Sequence, residues 1–412
     1  MQAKTGNNNV TIKTGNLSLV LRILQQEGVC ARTMLATKTG LTQAAITYIV
    51  NELLAYGVVE ETGVIKGELK RKSNGLKLTD KTYLIAAIVI QKTYYRVALF
   101  TLNGTLIEYR TDSFPLYSTP ADRLATIEER LKGLIHDHCP DDTNRIVAIG
   151  VGIYRQALSD AKGRYSDGES WSSLHIQERL ENTFGMPVFI ERDADCSVLA
   201  AQYCGHLDPH KDILYILMYE DDIISGMILN GELYKGASDC AGELGHISIN
   251  YCGAPCDCGN VGCLHQYCSV YQMLEKYRSK LFSSGRLSLP VPDSMKFAEA
   301  IEVRDPLACE VAEEGFTMLG IGLVSVINTL NPAIISIESP FNPCSDYMYR
   351  ILRRVFNRQL SKEVADRVEF IPSVFEYGGS ILYGAWAMAF RNVTEDPVHY
   401  LKIGKSETNE KT

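Results

Sequence analysis

Two kinds of segment are missing from this sequence: a basic-then-apolar leader at its start, and any run of about 18 or more uncharged apolar residues. Both absences argue against secretion and against membrane spanning, so we expect a cytoplasmic protein. Low-complexity tracts are missing as well. What is present is apolar material, since 46% of the 412 residues are hydrophobic, and this predicts two or three packed domains rather than one.

The twelve cysteines do not indicate a disulfide scaffold, which is a solution for short secreted chains. In a reducing compartment, cysteines that cluster more often indicate a metal site. The cluster lies in CDCGNVGCLHQY, from Cys256 to Tyr267, and a histidine precedes it in GELGHISINYCGAP. The candidate ligands are His246, Cys256, Cys258 and Cys263.

One imidazole and three thiolates on a glycine-rich loop form the nitrogen and sulfur set that Zn²⁺ prefers. The set leaves no open coordination position for a catalytic water, so we expect a structural zinc. A redox pair is disfavoured because the nearest cysteines are spaced Cys-x-Cys, without a thioredoxin-like context. Two alternatives stay open: buried free thiols without a metal, and a ligand set that includes Cys252 or Cys268.

The first 80 residues carry ten Lys and Arg against six Asp and Glu, although the whole chain has a net charge of −8. A local basic excess is typical of a nucleic-acid-binding module. In NLSLVLRILQQEG, the spacing of Leu17, Val20, Leu21 and Leu24 predicts an amphipathic helix that ends near Gly28. A second short helix is predicted in ARTMLATKTG.

A third helix is predicted to begin after Gly40, with Thr42 as its N-cap and one buried apolar stripe. The stripe comprises Ile46, Ile49, Val50, Leu53 and Leu54. The polar face of this helix follows a tight turn, which is the position from which a recognition helix contacts base edges in the major groove. The predicted DNA contacts on this face are Thr42, Gln43, Thr47, Tyr48 and Asn51.

The segment GVVEETGVIKGELKRKSNGLKL combines short apolar runs with glycines and a basic cluster. This composition predicts a β-hairpin wing whose cations, among them Arg71 and Lys72, lie near phosphates. Helix, short helix, turn, helix and basic hairpin in this order predict a winged helix-turn-helix DNA-binding domain over residues 1–80. The alternative is a three-helix packing domain with a solvated basic loop.

From about Thr79 the pattern changes to alternating strands and helices. YLIAAIVI, YRVALFTL, GTLIEYR and IVAIGVGI are predicted strands, and ADRLATIEERLKGLIHDH is a predicted amphipathic helix. A further hairpin is predicted in EDDIISGMILNGELYKG, with Asn230 and Gly231 as its turn. The alternation predicts an α/β region of two lobes over residues 81–400, with a mixed sheet covered on both faces, and a flexible tail over 401–412.

CAGELGHISI, from Cys240, followed by CDCGNVGCLHQY resembles the signature of the ROK family of repressors, open reading frames and sugar kinases. The resemblance extends from the N-terminal helices to the last helix. It implies an actin-like, ribonuclease H-like fold of two lobes that holds a sugar in its cleft. It also implies that Glu243 and His246 contact sugar hydroxyls, so that a zinc ion bound by His246 would brace one wall of the sugar site.

The family's Asn-Asp pair resembles ERDADCS, in which Asp193 matches the catalytic base of the kinases and Arg192 replaces the asparagine. A carboxylate can accept a hydrogen bond from a sugar hydroxyl with or without phosphoryl transfer, so Asp193 alone does not indicate an enzyme. The alternative is that Asp193 lies in a surface turn before a helix.

Three departures from the kinase pattern argue against ATP use. The family's kinases hold ATP phosphates and Mg²⁺ with an Asp-x-Gly-Gly-Thr turn, but AIVIQKTYYRVAL has no aspartate and no glycine in that place. The glycine pair near the adenosine is replaced by Glu338 and Ser339, and Tyr154 and Arg155 stand where the kinases carry Pro-Gly. These losses predict a protein that is not an enzyme.

The sugar wall also departs from the family pattern, because His265 stands where the family has a glutamate. His265 and Arg192 would make the pocket more cationic, and arginine grips phosphate or carboxylate in bidentate fashion. We therefore expect a sugar phosphate or an acidic sugar as the effector. The predicted effector contacts are Arg192, Asp193, Glu243, His246 and His265. The alternative is an internal ion pair of Arg192 with Asp195 or Glu191.

Two functions compete. The leading one is a sugar-responsive transcriptional regulator that binds a two-fold symmetric operator as a homodimer or a dimer of dimers, and the resemblance favours repression over activation. Its partners would be operator DNA and a sugar or sugar phosphate that shifts DNA affinity by stabilising one lobe arrangement. The alternative is an ATP-dependent sugar kinase with a divergent nucleotide site. A third possibility is a zinc-braced scaffold that binds neither DNA nor sugar.

Overall fold

The computed structural model describes residues 9–66, 72–140, 142–154, 171–205, 207–208 and 210–403. Arg71, Arg155 and most of the predicted tail, from residue 404, lie outside the described residues. The chain forms two compact units. Unit 1 comprises Met1–Asp193 and Leu382–Thr412, and unit 2 comprises Ala194–Ile381. Within the described ranges, no helix has the length and apolar character needed to cross a membrane.

Unit 1 begins with three helices and a small antiparallel sheet of order β1-β3-β2. The elements are α1 (Asn9–Glu27), β1 (Cys30–Ala31), α2 (Arg32–Thr39), α3 (Gln43–Ala55), β2 (Val59–Lys66) and β3 (Lys72–Leu78). The three predicted helices and the predicted hairpin are therefore confirmed as elements. The four apolar residues predicted to face inward from α1 are each 0% exposed. In α3 the predicted stripe is buried except for Leu54, which is half-buried.

A five-stranded mixed sheet follows in unit 1, in the order β6-β5-β4-β7-β8. Its elements are β4 (Leu84–Ile90), β5 (Tyr94–Thr101), β6 (Leu106–Ser113), α4 (Pro120–His138), β7 (Ile146–Ile153), α5 (Ile176–Phe184) and β8 (Val188–Arg192). β4, β5 and β6 are antiparallel neighbours, whereas β4, β7 and β8 run parallel. Thr119 and Asp122 form a capping box that begins α4, where the sequence predicts an amphipathic helix.

Unit 2 contains a second five-stranded mixed sheet, in the order β11-β10-β9-β12-β13. Its strands are β9 (Ile213–Met218), β10 (Ile223–Leu229), β11 (Glu232–Leu233), β12 (Ile334–Glu338) and β13 (Glu369–Phe370). The first three strands are antiparallel and the last two are added in parallel, which is the pattern of the unit 1 sheet. Asn230 and Gly231 both have positive φ, so the predicted two-residue hairpin turn is confirmed.

The remaining helices complete unit 2 and then return to unit 1. They are α6 (Asp193–Tyr203), α7 (His265–Cys268), α8 (Val270–Ser283), α9 (Ser294–Glu302), α10 (Pro306–Leu330), α11 (Ser345–Gln359), α12 (Lys362–Arg367), α13 (Ser380–Glu395) and α14 (Pro397–Tyr400). One buried apolar cluster joins β9 and β12 to α8, α10 and α11. The predicted α/β class is confirmed, with one mixed sheet in each unit.

Candidate functional site

The exposed face of α3 carries all five residues that the sequence predicts as DNA contacts. Each of them is exposed, and Tyr48, the one aromatic residue of α3, has 64% exposure. Thr42 begins the helix as predicted, because its hydroxyl oxygen accepts a hydrogen bond from the Ala45 amide at 3.2 Å. The Thr47 hydroxyl donates to the Gln43 carbonyl at 2.8 Å, which orients it along the helix. The arrangement presents a polar face after a turn.

The hairpin that follows α3 pairs β2 with β3 in antiparallel register, with Lys66 opposite Lys72. Lys72 is thus the first residue of β3, while Arg71 precedes the described part of that strand. α3 itself contains no lysine or arginine. Any cations that meet DNA phosphates must therefore come from outside this helix.

Arg192 and Asp193 lie where β8 ends and α6 begins. Both are buried, with 5% and 2% exposure, so the alternative of a surface turn for Asp193 is wrong. The side-chain amide of Gln91 donates to Asp193 Oδ2 at 3.3 Å. Gln91 follows β4 directly, and β4 and β8 run in the same direction, so these side chains gather at the carboxyl ends of parallel strands, where α/β sheets bind ligands.

Gly242 fixes the backbone that carries Glu243 and His246. Its φ is +96°, and a Cβ built there would lie 1.9 Å from the carbonyl oxygen of Ser225 in β10. The Ser225 amide donates to the Gly242 carbonyl at 2.8 Å. A short 3-10 helix, Leu244–His246, follows, with the Leu244 side chain in the core of unit 2. Glu243 and His246 are both half-buried.

The four predicted metal ligands come together. One ligand atom from each of His246, Cys256, Cys258 and Cys263 lies within 4.8 Å of all the others. His246 Nδ1 is 3.6 Å from Cys256 Sγ, and Cys258 Sγ is 3.7 Å from Cys263 Sγ. Zinc bond lengths in a tetrahedron require edges of about 3.6 Å between nitrogen and sulfur and about 3.8 Å between two sulfurs. The group could therefore hold a metal ion without rearrangement of these pairs.

The cysteine loop is shaped by its backbone. The Cys256 amide donates to the Asn260 carbonyl at 2.8 Å, and the Gly259 amide donates back to the Cys256 carbonyl at 2.9 Å. Burial raises the pKa of the Cys263 thiol to about 12, and the neighbouring thiols add to the rise. Burial also acts on Cys258, but hydrogen bonds, the first from the Asn260 backbone, leave the pKa of that thiol below its usual value. A metal ion must displace protons from such thiols when it binds.

The two competing cysteines lie outside this group in the part of the chain that the structure describes. Cys252 is exposed, and Cys268 is buried in α7, with its sulfur donating to the Leu264 carbonyl at 3.5 Å. Burial raises the pKa of the Cys268 thiol. Neither feature favours a metal ligand, so the geometry supports the four-residue set.

Gln91 is a polar contact that the sequence did not predict, whereas His265 was predicted. Gln91 holds Asp193 from a position 102 residues away, and sequence spacing gives no signal for such a partner. His265, expected on the sugar wall, has Nε2 at 3.1 Å from Cys256 Sγ and Nδ1 at 2.9 Å from the Asp221 carbonyl oxygen. The structure thus groups Arg192, Asp193 and Gln91 in unit 1, and Glu243, His246 and His265 in unit 2.

Comparisons with known proteins agree with this architecture. A family model described as the ROK family matches residues 85–391. The xylose repressor of Bacillus subtilis (strain 168) is 24% identical over 365 residues, which cover 88% of this chain and 91% of that protein. The crystal structure of a ROK family transcriptional regulator, a homolog of the E. coli MLC protein, aligns with a TM-score of 0.77 at 21% identity and covers 95% of this chain and 99% of its own.

A kinase has a similar fold over part of the chain. The crystal structure of a ROK family glucokinase from Streptomyces griseus, in complex with glucose and AMPPNP, aligns with a TM-score of 0.61 at 19% identity. It covers 74% of this chain and 99% of its own length. At these identities both structural likenesses show the fold.

Proposed function

The chain belongs to the ROK family, and on that premise we propose that it is a sugar-responsive transcriptional repressor. The Bacillus subtilis relative, which aligns over 88% of this chain, is named as a repressor. Residues 1–80 form a winged helix-turn-helix DNA-binding domain, and residues 81–400 form the sugar-binding domain. The protein binds a two-fold symmetric operator as a homodimer or a dimer of dimers.

The exposed polar face of α3 is the observation that supports DNA binding most directly. Its side chains follow a turn and lie opposite a buried apolar stripe, as in a recognition helix that enters the major groove. Because α3 has no cation, Arg71 and Lys72 of the hairpin supply phosphate contacts while α3 reads base edges.

The effector contacts are Arg192, Asp193, Glu243 and His246. The carboxylates accept hydrogen bonds from sugar hydroxyls, and Arg192 binds an anionic group, so the effector is a sugar phosphate or an acidic sugar. The burial of Arg192 and Asp193 supports this assignment, because a buried charge interacts strongly with a ligand that excludes water. His265 is left out of the set because both of its ring nitrogens already lie at hydrogen-bonding distance from protein atoms.

The metal is a structural Zn²⁺ held by His246, Cys256, Cys258 and Cys263. The donor types and the separations between them both suit zinc. The ion would hold the cysteine loop and the His246 segment together. A set of four protein ligands leaves no position for a reactive water, so the metal supplies no chemistry to a substrate.

The protein regulates without phosphorylating its sugar. Gln91 follows β4, where the kinases carry their phosphate-binding turn, and its side-chain amide donates a hydrogen bond to Asp193. At the end of β12, Glu338 is fully buried and accepts hydrogen bonds from the Tyr215 hydroxyl and the Gly378 amide, each at 2.6 Å. Burial raises the pKa of this carboxyl. A buried, hydrogen-bonded glutamate where the kinases carry a glycine supports the loss of the nucleotide site in this chain.

The buried Asp193 and the glucokinase-like fold favour one other function, a sugar kinase with a divergent nucleotide site. Incubation of the purified protein with sugars, ATP and Mg²⁺ separates the two functions. We expect no sugar phosphate. Turnover that disappears in Asp193→Asn would instead establish the kinase.

The proposed function is tested by selection from a random DNA pool with the full-length protein. We expect a palindromic operator to be enriched, and a subset of sugars, sugar phosphates or sugar acids to release it in an anisotropy titration. The double variant Tyr48→Ala, Asn51→Ala should lose specific binding. Enrichment of no sequence, or full operator binding by the double variant, would contradict the assignment of α3.

The effector class is tested separately by calorimetry of matched neutral, phosphorylated and uronic forms of each sugar. We expect the anionic forms to bind more tightly, and Arg192→Gln to remove most of that preference. Tight binding of the neutral sugar alone would contradict the role of Arg192.

A further inference from the structure

The end of α3 is bonded to a side chain that lies outside the proposed DNA-binding domain. Tyr56 follows α3 directly, and its amide donates to the Glu52 carbonyl at 3.1 Å, so its own carbonyl lies at the end of the helix. The Tyr83 hydroxyl lies 3.2 Å from that carbonyl oxygen. The same hydroxyl lies 3.4 Å from the carbonyl oxygen of Leu401, which is 318 residues further along the chain. Carbonyl oxygens can only accept, so the two share the hydroxyl proton.

The backbone of Tyr83 belongs to the first sheet of unit 1. Tyr83 precedes β4, and its carbonyl accepts from the Leu102 amide at 3.0 Å, which extends the pairing of β4 with β5 by one residue. Gly57 shows how closely the chain after α3 approaches this point, since a Cβ built there would lie 3.0 Å from Thr82 Oγ1. A residue anchored in the sheet therefore carries the hydroxyl that meets the end of α3.

The segment that supplies the Leu401 carbonyl is also held within unit 1. Leu401 and Ile403 are 1% and 0% exposed. α14 ends just before them, and the ring of its last residue, Tyr400, meets the Phe189 ring of β8 edge-on, with 5.9 Å between the ring centroids. α14 also contacts α1, the first of the N-terminal helices. The second acceptor of the Tyr83 hydroxyl is therefore held by the same sheet.

We propose that Tyr83 is a positioning residue for DNA binding, because the Tyr83 joint, which is the contact of its hydroxyl with Tyr56 and Leu401, fixes the end of α3 to the first sheet. This inference rests on the proposed function. α3 has 13 residues and is about 20 Å long, so a tilt of about 5° at its end moves its first turn by about 1.7 Å. Such a shift breaks hydrogen bonds to base edges.

In the proposed homodimer, the Tyr83 joint also fixes the separation of the two α3 helices, which must match the separation of the half-sites. An operator with a different spacer can be bound only if the joint opens in at least one subunit. One hydrogen bond of this kind contributes a factor of about 3 to 10 to an equilibrium. Removal of the hydroxyl therefore makes binding to altered spacers easier by that factor, and changes binding to the best spacer little.

The test compares the full-length wild type with Tyr83→Phe, which keeps the ring and removes the hydroxyl. Tyr95→Phe is the matched control, because Tyr95 is a buried tyrosine of the same sheet whose hydroxyl is bonded to Asp112. Fluorescence anisotropy measures binding to the selected operator, to versions with longer or shorter spacers, and to a single half-site. We expect Tyr83→Phe to reduce the preference for the selected spacer by about 3- to 10-fold and to bind the half-site like the wild type. Tyr95→Phe should match the wild type on every DNA.

Amide hydrogen exchange without DNA measures the Tyr83 joint by itself. Tyr83→Phe should speed exchange at the end of α3 and in the segment 397–403, whereas Tyr95→Phe should not. Unchanged exchange at the end of α3 overturns the inference, as does a spacer preference that is absent in the wild type or unchanged in Tyr83→Phe. An equal loss of binding on every DNA, the half-site included, overturns it too, because Tyr83 would then only stabilise the fold. Enrichment of no operator by the wild type rejects the proposed function instead, and hydrogen exchange then decides the joint alone.

Discussion

At the scale of single residues, Gly242 controls the orientation of the predicted sugar contacts in unit 2. Its φ of +96° and the 1.9 Å approach of a built Cβ to the Ser225 carbonyl leave no room for a side chain. Gly242→Ala must therefore displace either β10 or the segment that carries Glu243. A variant of this kind separates the effect of backbone position from the chemistry of the contact residues.

We expect Gly242→Ala to lower the free energy of unfolding by more than about 1 kcal/mol, since alanine at positive φ is strained and here also clashes. Effector affinity should fall with it. Gly285→Ala is the matched control, because Gly285 has φ +71° but nothing within 4 Å of a built Cβ. Thermal unfolding and calorimetry check both variants, and equal destabilisation by the two would contradict the role given to the Ser225 contact.

A second residue-scale prediction concerns Tyr48, which is exposed on α3 and makes a base-edge contact in the proposed complex. Tyr48→Ala should weaken operator binding by about 1–3 kcal/mol, the usual value of a good base contact, without a change in unfolding temperature. Tyr109→Ala, which removes an exposed tyrosine from β6, should leave operator binding unchanged. Fluorescence anisotropy with labelled operator measures both.

The residues of a site were predictable where they lie close together in the sequence, and were not predictable where a contact depends on a residue far along the chain. The spacing of His246 and the three cysteines predicts the cluster that the structure forms, because one loop carries most of it. The partnership of Gln91 with Asp193 spans 102 residues and has no local signal. His265 was predicted to lie on the sugar wall because it replaces a glutamate of the family. The position of its ring depends instead on the Asp221 carbonyl, a backbone group that the sequence does not identify.

At the scale of elements, the N-cap of α3 is the clearest link between sequence and local structure. The Thr42 hydroxyl oxygen accepts from the Ala45 amide, one of the amides that would otherwise lack a partner at the start of the helix. Thr42→Ala should destabilise α3 by about 1 kcal/mol, and Thr42→Ser should largely retain the cap. Amide hydrogen exchange of the first turn of α3 measures the effect directly, and equal exchange in the two variants would contradict it.

Elements with a regular apolar period were predicted well, whereas short elements defined by pairing were not. α4 has five buried apolar positions, as an amphipathic helix requires, because burial repeats every three to four residues within one segment. Ala31 was expected to begin the second helix, but it pairs with Gly75 as part of the two-residue strand β1. That pairing joins residues far apart in the chain, so local propensity does not reveal it.

At the scale of the whole molecule, the two units carry sheets of the same strand order, each with three antiparallel strands and two added in parallel. Alternating strands and helices predict the α/β class, but they do not predict where the units divide. The N-terminal helices belong to the same compact unit as the first sheet. Tertiary contacts such as that of Tyr83, whose hydroxyl donates to the Tyr56 and Leu401 carbonyls, explain the grouping and leave no pattern in the sequence.

Metal removal should affect the two units unequally, because the four predicted ligands all belong to unit 2. Treatment with a chelator should speed hydrogen exchange in the segment 242–268 and lower the unfolding temperature of unit 2 by about 5 °C or more. Exchange in the sheet of unit 1 should stay unchanged, and added zinc should restore the loss. Unchanged exchange in the cysteine loop after verified metal loss would contradict a structural role.

The division of unit 1 into two stretches of chain has a consequence for biosynthesis. α13 begins in the last residues of unit 2, and its Trp386 packs against Phe100 and donates to the Thr101 carbonyl in β5, so the sheet of unit 1 gains this support only after α13 has been translated. Unit 2 is continuous in sequence and has all its residues once Ile381 has left the ribosome. If the chain folds while it is synthesised, unit 2 would therefore be complete before unit 1.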